Sequence, residues 1–495
     1  MIDLLLVTPP SRNKVYQDLS NAFAAIEPPV WSGLIAEYMS NKNYNVIILD
    51  SEAENLNFEE TVDKIVDIDP ILVCFSIYGQ QPSASTQCMP AAMETCKLLN
   101  EKSDYKYFTI AIGTHPSALP IKTLQDGPFQ FVGKGECVHT IENLTKYCKK
   151  EIQIDKVPGL YYFKENEILF NKTSPLINNL GLELPRQKLD LLDMKKYKAH
   201  NWHSFFDLEA RNSYASLQTS LGCPFKCTFC CINAPFESNQ IRFWSADNII
   251  VQIDELVEKY NIKNIKIPDE MFVLNPKHVI SICDKIIERK YNLNFWAYAR
   301  VDTLQNEEML EKMKMAGINW LGIGIESASE HVRDGVIKGR FDFSDIIKTL
   351  ERVRRHDFNI GANYIFGLPD EDINSMKNTL NLAKEINSEW ANFYCAMAYP
   401  GSQLHKSAKE KKLKLPEDEG GPGWIGYSQH AFETLPLPTE FLSAQEVVDF
   451  RDKAFQEYFT NKDYVNMIGK RFGTKVVDHI NDMTSKKIKR SHHIN

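Results

Sequence analysis

The sequence predicts an α/β protein in three parts: a doubly wound parallel sheet, a partial barrel of strand–helix units, and a helical C-terminal region. Short apolar segments alternate with amphipathic helical stretches over residues 1–150, and the alternation returns over residues 214–400. Domains usually span about 100–200 residues, so the 495-residue chain exceeds a single core. Its composition, 43% hydrophobic and 25% charged, is that of a globular protein and excludes a disordered, fibrous or coiled-coil chain.

The first part, residues 1–150, carries short and nearly continuous apolar segments, the pattern of strands that are buried on both faces of a parallel sheet. Helical stretches at 31–41, 58–66 and 90–102 separate these segments, as the crossover connections of a parallel sheet require. We therefore expect a Rossmann-like domain over 1–150. Its predicted strands are Leu4–Val7, Asn45–Leu49, Ile71–Phe75, Tyr107–Ile112 and Phe129–Val132.

Residues 151–213 are a predicted connector that packs on both neighbours, because they are too apolar and too poor in Gly and Ser for a flexible linker. Residues 214–400 then predict a partial (βα)6 barrel whose site lies at the carboxyl ends of its strands. The predicted strands are Tyr214–Thr219, Ile262–Ile267, Asn294–Ala299, Trp320–Ile325, Asn359–Phe366 and Ala391–Ala398. The predicted helices are Ala246–Tyr260, Pro276–Lys290, Asn306–Ala316, Phe343–His356 and Ile373–Ile386.

The last part, residues 401–495, is a predicted helical cap. Amphipathic patterns indicate helices over Ala444–Phe459 and Tyr464–Met483. The basic run Lys486–Arg490 follows them, and we expect it to be a solvated segment rather than a site for a polyanion.

Charge and cysteine content limit the partners and the compartment. The net charge of −8 gives no overall basic field for nucleic acid, and no apolar run approaches the roughly 18 residues that span a bilayer. The first residues, MIDLLLVTPP, predict a strand, because they lack the basic start of a signal peptide. Eleven cysteines are too sparse for a disulfide scaffold, so we expect a reducing cytoplasm and, where cysteines cluster, a metal.

The strongest motif is Cys223-Pro-Phe-Lys-Cys227-Thr-Phe-Cys230, on the loop after the first barrel strand. Three thiolates so close in sequence can converge on one centre, and thiolates are soft ligands that suit iron–sulfur clusters and zinc. A structural zinc site usually takes four ligands in paired C-x-x-C motifs, and the side chain of the adjacent Cys231 is expected to diverge. The spacing therefore favours an iron–sulfur cluster, with zinc or buried structural cysteines as the alternatives.

The C-x-x-x-C-x-x-C spacing, with the aromatic Phe229 before the third cysteine, resembles the radical S-adenosylmethionine (radical SAM) superfamily. The resemblance implies that Cys223, Cys227 and Cys230 hold a [4Fe-4S] cluster with one iron left open. In that family the open iron binds the amino and carboxylate groups of SAM, and reductive cleavage of SAM gives a 5′-deoxyadenosyl radical. The resemblance also implies an electron donor such as flavodoxin or ferredoxin.

Residues at the ends of the next barrel strands are the candidates for contacting SAM. A carboxylate after the second strand gives an ammonium group its counter-charge, and a cation after the third suits a carboxylate. Paired glycines near the end of the fourth strand allow a ligand to approach closely. With Phe229, these candidates are Asp269, Glu270, Arg300, Gly322, Gly324, Glu326 and Ser327. Helix caps or ordinary ion pairs are the alternative for the charged members.

The first domain should bind its ligand where the strands of its sheet end. Small residues there leave room for a large ligand, and no G-x-G-x-x-G follows the first strand, so a dinucleotide is not favoured. A domain of this kind before such a barrel resembles the cobalamin-binding domain of the cobalamin-dependent radical SAM enzymes. The candidate cobalamin contacts are Pro10, Ser76, Gly79, Gly113, Thr114, His115 and Gly133.

The sequence departs from the general cobalamin-binding pattern in two places. The Asp-x-His-x-x-Gly signature that supplies a cobalt ligand is absent, since Asp50-Ser51-Glu52 has no histidine in that place, and this is typical of the radical class. Gly113-Thr114 replaces the usual pair of glycines. We expect His115 to be a hydrogen-bonding loop residue, and the lower face of the cobalt to be empty or filled by water.

The resemblance implies a methyltransferase that moves a methyl group from cobalamin to an unactivated carbon, or a phosphinate, of a small-molecule or natural-product substrate. A second SAM would restore the methyl group, and the substrate should lie between the domains. A non-methylating radical rearrangement or cyclisation is the alternative enzyme. An iron–sulfur electron-transfer protein or another metal-binding protein is the alternative from a different class.

Overall fold

The computed structural model describes residues 1–79, 81, 83–338 and 341–493. The strands of its first sheet are β1 (Ile2–Thr8), β2 (Val46–Asp50), β3 (Pro70–Ile77), β4 (Phe108–Gly113), β5 (Phe131–Gly133), β6 (Leu160–Lys164) and β7 (Glu167–Phe170). They lie in the order β2-β1-β3-β4-β5-β6-β7, and the pairs from β2 to β5 are parallel. The doubly wound parallel sheet predicted from the sequence is therefore confirmed.

The outer strands of this sheet come from the predicted connector. β6 pairs antiparallel with β5, and β7 pairs antiparallel with β6. A tight turn suffices between antiparallel strands, whereas a parallel strand needs a long crossover, so a short segment adds strands in this way. The sheet thus continues past residue 150, and the domain limits themselves stay a prediction.

The second sheet forms a half-barrel. Its strands are β8 (Tyr214–Ser216), β11 (Asn264–Ile267), β12 (Asn294–Arg300), β13 (Ile318–Glu326), β14 (Asn359–Phe366) and β15 (Trp390–Cys395). Adjacent strands of this sheet follow one another in chain order from β8 to β15, and each strand is parallel to its neighbours. The partial barrel predicted from the sequence is confirmed by this order, which places the carboxyl ends of the strands on one rim.

The first barrel strand is shorter than predicted. β8 ends at Ser216, and the chain then bends into β9 (Ser220–Leu221), which pairs antiparallel with β10 (Arg242–Phe243). Apolar periodicity alone continued the strand to Thr219. The bend starts the loop that carries the three motif cysteines.

Helices flank both sheets. They are α1 (Arg12–Tyr16), α2 (Leu19–Ala22), α3 (Val30–Ser40), α4 (Phe58–Ile68), α5 (Ala84–Ser103), α6 (Thr114–Ala118), α7 (Pro120–Asp126), α8 (Val138–Cys148), α9 (Leu180–Glu183), α10 (Ala246–Glu258), α11 (Pro276–Arg289), α12 (Glu307–Met315), α13 (Glu330–Gly335), α14 (Phe343–Arg355), α15 (Ile373–Ile386), α16 (Gln403–Glu410), α17 (Ala444–Phe459), α18 (Lys462–Phe472) and α19 (Thr474–Ser485). The predicted helix 464–483 is split between α18 and α19. Gly473, with φ of 88°, breaks it, because glycine adopts positive φ without steric cost.

A buried ion pair joins the two sheets. Glu27 precedes α3, and both of its carboxylate oxygens accept a hydrogen bond from Nζ of Lys266 on β11, each at 2.8 Å. His200 lies 3.3 Å from the same carboxylate. Despite burial, which opposes ionisation, Lys266 and His200 hold the pKa of Glu27 below its ordinary value. Removing one partner of such a pair is costly, so this contact fixes how the two domains face each other.

In the basic run Lys486–Arg490 the three lysines are exposed, as expected of a solvated segment, whereas the last residue is buried. Arg490 is 1% exposed, and its guanidinium donates to both oxygens of Asp452, at 2.8 and 2.9 Å. It also donates to the carbonyl of Ala431 at 3.0 Å. Bidentate geometry and burial make this a structural anchor, which a run of charged letters does not reveal.

No helix of the described segments is both long and apolar enough to cross a bilayer.

Candidate active site

A cavity of about 440 Å³ lies between the facing rims of the two sheets. Thr8, Ser76 and Gly79, at the ends of β1 and β3, line one side. Tyr298 and Gly324, on β12 and β13, line the other. Because parallel sheets of both types bind ligands at the carboxyl ends of their strands, each sheet presents its binding edge to the same space.

The loop after β9 brings Cys223, Cys227 and Cys230 to the wall of this cavity. Asn233 fixes its start, because the side-chain oxygen accepts a hydrogen bond from the Cys223 N–H at 3.3 Å and the side-chain nitrogen donates to the Cys223 carbonyl at 2.9 Å. Cys231 is buried and lines the same cavity. The three motif cysteines are thus brought together in space as well as in sequence.

The thiol of Cys223 is a weak acid in this structure. Burial raises its pKa to about 11. Cys223 must therefore release a proton to bind iron.

Adjacent carboxylates Asp269 and Glu270 take different places. Asp269 is fully buried and accepts hydrogen bonds from Thr219 N (2.7 Å), Thr219 Oγ1 (2.6 Å) and Ser220 Oγ (2.6 Å). It does not line the cavity and instead holds the bend that leads to the cysteine loop. Glu270 does line the cavity, and burial raises its pKa to about 8.

Arg300, at the end of β12, lies beside the cysteine loop. Its guanidinium donates to Cys227 Sγ at 3.5 Å and to Asp302 Oδ2 at 2.8 Å. It also stacks 3.8 Å from the centre of the Phe225 ring. These contacts place a positive charge at the cavity wall next to the thiols, where it favours anionic ligands.

The two glycines of β13 make room for protein side chains. A Cβ on Gly322 would lie 3.1 Å from the Tyr298 ring. A Cβ on Gly324 would lie 2.5 Å from Glu326 Oε1 and 2.6 Å from Lys338 Nζ. The sequence predicted that these glycines allow a ligand to approach closely. In the structure they are glycines because protein side chains already occupy the space that a Cβ would need.

Lys338 is a functional candidate that sequence reasoning missed. Its Nζ lies 2.5 Å from Glu326 Oε1, and both side chains line the cavity. Glu326 reaches this position through a left-handed backbone, with φ of 69°. No motif marked Lys338, because it follows α13 and only the return of the chain brings it to the rim.

Ser327 lies behind the cavity wall. Its hydroxyl donates to Glu371 Oε1 at 3.0 Å, and Glu371 also accepts from the N–H groups of Gly367 (2.8 Å) and Leu368 (3.2 Å). Burial raises the pKa of Glu371 to about 7. The pair ties the end of β13 to the loop after β14, so Ser327 shapes the rim without facing the cavity.

On the first sheet, Ser76, Gly79 and Thr114 line the cavity, whereas Pro10, Gly113, His115 and Gly133 do not. Pro10 lies between Pro9 and Ser11, which do line it. A Cβ on Gly113, whose φ is 143°, would lie 2.1 Å from the Ile77 carbonyl oxygen. Gly113 therefore permits β4 to turn against β3. Gly133 has a similar packing role against Cys137, 2.7 Å from its added Cβ.

His115 does not line the cavity. Its Nδ1 lies 3.1 Å from Thr86 Oγ1, and its ring contacts the Trp424 ring edge-on at 4.4 Å. Burial lowers its pKa to about 3, so the ring is neutral at physiological pH. Among the described residues its buried Nε2 has no hydrogen-bond partner, while the contacts of Nδ1 and of the ring are those of a packed loop residue.

Polar atoms from both domains lie at the cavity wall and need a partner. Within the described residues, the buried Thr8 Oγ1, Tyr78 Oη and Gln218 Oε1 accept or donate no hydrogen bond, and all three residues line the cavity. Buried polar atoms are rarely left unsatisfied. Together with the small residues nearby, they fit a large ligand rich in amide groups, as cobalamin is.

Comparisons with known proteins agree with this geometry. The radical SAM superfamily model matches residues 217–383, and the B12 binding domain model matches residues 17–145. An uncharacterised methyltransferase of Pyrococcus horikoshii is 28% identical over 418 residues, which cover 84% of this chain and 85% of that protein. An anaerobic magnesium-protoporphyrin IX monomethyl ester cyclase of Rubrivivax gelatinosus is 21% identical, over 88% of this chain and 75% of the cyclase.

A solved structure extends the likeness to nearly the whole fold. The cobalamin-dependent S-adenosylmethionine radical enzyme OxsB, with aqua-cobalamin and S-adenosylmethionine bound, superposes with a TM-score of 0.71 at 16% identity, over 97% of this chain and 71% of that chain. The two domains and the site between them define a radical SAM enzyme with an added B12-binding domain. The chain belongs to the cobalamin-dependent radical SAM enzymes, and its cofactors are a [4Fe-4S] cluster, SAM and cobalamin.

Proposed function

We propose that this enzyme transfers a methyl group from SAM, by way of cobalamin, to an unactivated carbon or a phosphinate of a small-molecule substrate held between its two domains. One observation carries the proposal: the three cluster cysteines and the strand ends of the first sheet line the same cavity. When bound, the cluster with SAM supplies a radical and cobalamin supplies the methyl group. A substrate in this cavity is within reach of both, and such positioning accounts for much of enzymatic rate enhancement.

Different residues at the rim of the half-barrel bind the cluster and the separate groups of SAM. In our proposal Cys223, Cys227 and Cys230 hold the cluster. Glu270 accepts a hydrogen bond from the amino group of SAM, and Arg300 attracts its carboxylate. Phe229, Gly322, Gly324 and Glu326 shape the remainder of the SAM site.

Asp269 acts as a positioning residue, because it is buried and hydrogen-bonded to the bend that leads to the cysteine loop. Ser327 also acts as a positioning residue, because its hydrogen bond to Glu371 ties the end of β13 to the loop after β14. Lys338 holds Glu326 toward the cavity. On the other side, the proposed cobalamin contacts are Ser76, Gly79 and Thr114, while Pro10, Gly113, His115 and Gly133 shape the strand ends behind them.

The substrate in this proposal contacts three tyrosines that line the cavity. Tyr16 comes from the first domain, whereas Tyr298 and Tyr394 lie on strands β12 and β15 of the half-barrel. Burial raises the pKa of each of the three phenols, so their hydroxyls stay neutral. Neutral hydroxyls on aromatic rings suit a substrate with an apolar body and a few polar groups.

A non-methylating radical cyclisation is the second candidate, favoured by the cyclase relative. The experiment uses anaerobically reconstituted protein with cobalamin, titanium(III) citrate and SAM that carries a trideuterated methyl group. A methyltransferase moves the label to cobalamin and releases S-adenosylhomocysteine. A non-methylating enzyme gives 5′-deoxyadenosine without label transfer, and an electron-transfer protein gives neither product. Any result without label on cobalamin overturns the methyltransferase proposal.

We also propose a cytoplasmic enzyme that takes electrons from a flavodoxin or ferredoxin and binds no nucleic acid. All eleven cysteines are free thiols, as a reducing compartment favours. The net charge of −8 argues against a nucleic-acid partner.

A further inference from the structure

Helix α16 and the residues after it carry a dense positive charge. Five lysines, all exposed, lie within residues 406–414, and Glu410 is the one acidic residue in that run. The chain as a whole has a net charge of −8, so this segment is opposite in sign to the chain as a whole. We call it the lysine face: Lys406, Lys409, Lys411, Lys412 and Lys414.

The helix under this face packs directly on the cysteine loop. The Leu404 N–H donates to the carbonyl of Thr228, between Cys227 and Cys230, at 2.8 Å. Phe229 packs against the apolar group that includes Leu404 and Ala408. Since α16 buries Leu404, His405 and Ala408 on that side, its lysines point to solvent on the other.

The charge of the lysine face is largely available to a partner. With the residues that the structure describes, Lys406, Lys411 and Lys412 form no ion pair, and Lys409 lies 3.5 Å from Glu417. A groove beside the face is lined by Lys122, Lys134 and Lys409, with Asn233 among its lining residues. Because the side chain of Asn233 is hydrogen-bonded to the backbone of Cys223, the groove also leads to the loop.

We propose that the lysine face docks an acidic one-electron carrier protein of the flavodoxin or ferredoxin type. The reduced flavin or iron–sulfur centre of the carrier loses one electron, and the cluster on the cysteine loop gains it, with no atom transferred. The inference rests on the proposed function, since it requires a reducible cluster at Cys223, Cys227 and Cys230. Complementary charge steers such encounters and sets their salt dependence.

The test compares two charge-reversal triples. K406E/K411E/K412E alters the lysine face, and K462E/K470E/K475E is the matched control on α18 and α19. The control lysines are also exposed and form no ion pair with described residues. They lie at the opposite rim, because Arg471 of α18 donates to Asn359, the first residue of β14, at 2.6 Å.

Binding of purified flavodoxin and ferredoxin is measured by calorimetry at low and high salt. We expect the lysine-face triple to weaken binding on the order of ten-fold at low salt and to flatten its salt dependence, with the control near wild type. SAM cleavage driven by reduced flavodoxin should fall similarly, whereas cleavage driven by titanium(III) citrate should stay unchanged and report an intact fold.

Unchanged binding in the lysine-face triple, or an equal loss in the control triple, overturns the inference. Tighter binding of the wild type to a single-stranded RNA or to anionic vesicles than to either carrier also overturns it. If titanium(III) citrate supports no cleavage even in the wild type, the proposed function fails, and the binding measurement still decides the docking surface.

Discussion

The two halves of the molecule present their binding edges in opposite ways. The rim of the first sheet offers small residues, Ser76, Gly79 and Thr114, and the unsatisfied hydroxyls of Thr8 and Tyr78. The rim of the half-barrel offers thiols and charges, such as Cys227 and Arg300. The first half thus offers its ligand mainly room, whereas the second half offers metal-binding and charged side chains.

The difference follows from what each half must hold. Cobalamin is large and brings its own metal ligands and amide groups, so a site for it needs room and a few hydrogen bonds. A cluster and SAM need thiolates and counter-charges from the protein itself. Substitutions at the two binding edges should therefore have different effects on cluster, SAM and cobalamin binding.

The largest effect should come from removing a cluster thiol. Replacing Cys223, Cys227 or Cys230 with Ala should abolish bound iron and bring SAM cleavage below detection. The loop supplies three thiolate ligands, and the cluster needs all three. Cobalamin binding, followed by its visible spectrum, should persist. Cys231→Ala is the matched control and should keep its iron. Loss of the cluster in that control, with retention in Cys227→Ala, would contradict the assignment.

The second largest effect should come from replacing a strand-end glycine with alanine, and we expect it to differ between the two halves. Gly113→Ala forces a Cβ onto the Ile77 carbonyl at a positive φ, so we expect a loss of about 4 kcal/mol in unfolding free energy and weaker cobalamin binding. Gly324→Ala meets only the ends of Glu326 and Lys338, which can shift. It should cost about 1 kcal/mol and raise the dissociation constant for SAM. Denaturant unfolding and ligand titration measure both, and equal losses would refute the contrast.

Acidity should affect both halves alike. Burial raises the pKa of Asp50, after β2, and of Glu371, after β14, to about 7 each. Because the protonated form is favoured in the folded state, their contribution is complete below pH 4 and is lost as the pH rises through 7.

Wild-type unfolding free energy should therefore fall between about pH 4 and 7, on the order of 3 kcal/mol for each group. Asp50→Asn and Glu371→Gln should each flatten that slope. A wild-type stability that rises over this range would show that the hydrogen bonds to the carboxylates outweigh burial.

The smallest effect on the cofactor should come from His115→Ala. Loss of its contacts with Thr86 and Trp424 should cost about 1–2 kcal/mol of stability, as for other buried truncations. The electron paramagnetic resonance spectrum of bound cob(II)alamin should show no nitrogen splitting before or after the change. A splitting that disappears in the variant would make His115 the cobalt ligand.

The sequence by itself determined both sheets, their order along the chain and the three-cysteine motif. These features are local: strand and helix periodicities need only a short window, and the spacing of ligands within one loop is set by the chain. Even the boundaries of β14 and α15 agree with the predicted ranges. The split at Gly473 was missed because a single backbone torsion decides it. The bend after Ser216 was missed because hydrogen bonds to Asp269, which is distant in sequence, hold it.

Only the tertiary structure decided which side chains face the cavity. Asp269 and Glu270 are neighbours in sequence, yet one is bonded to Thr219 and Ser220 and the other lines the site. Lys338 reaches Glu326 only because the chain returns to the rim after α13. Such pairings join residues that are distant in sequence. The free energy of burying and pairing these groups depends on how the strands and helices pack together, and a local sequence pattern carries no information on that packing.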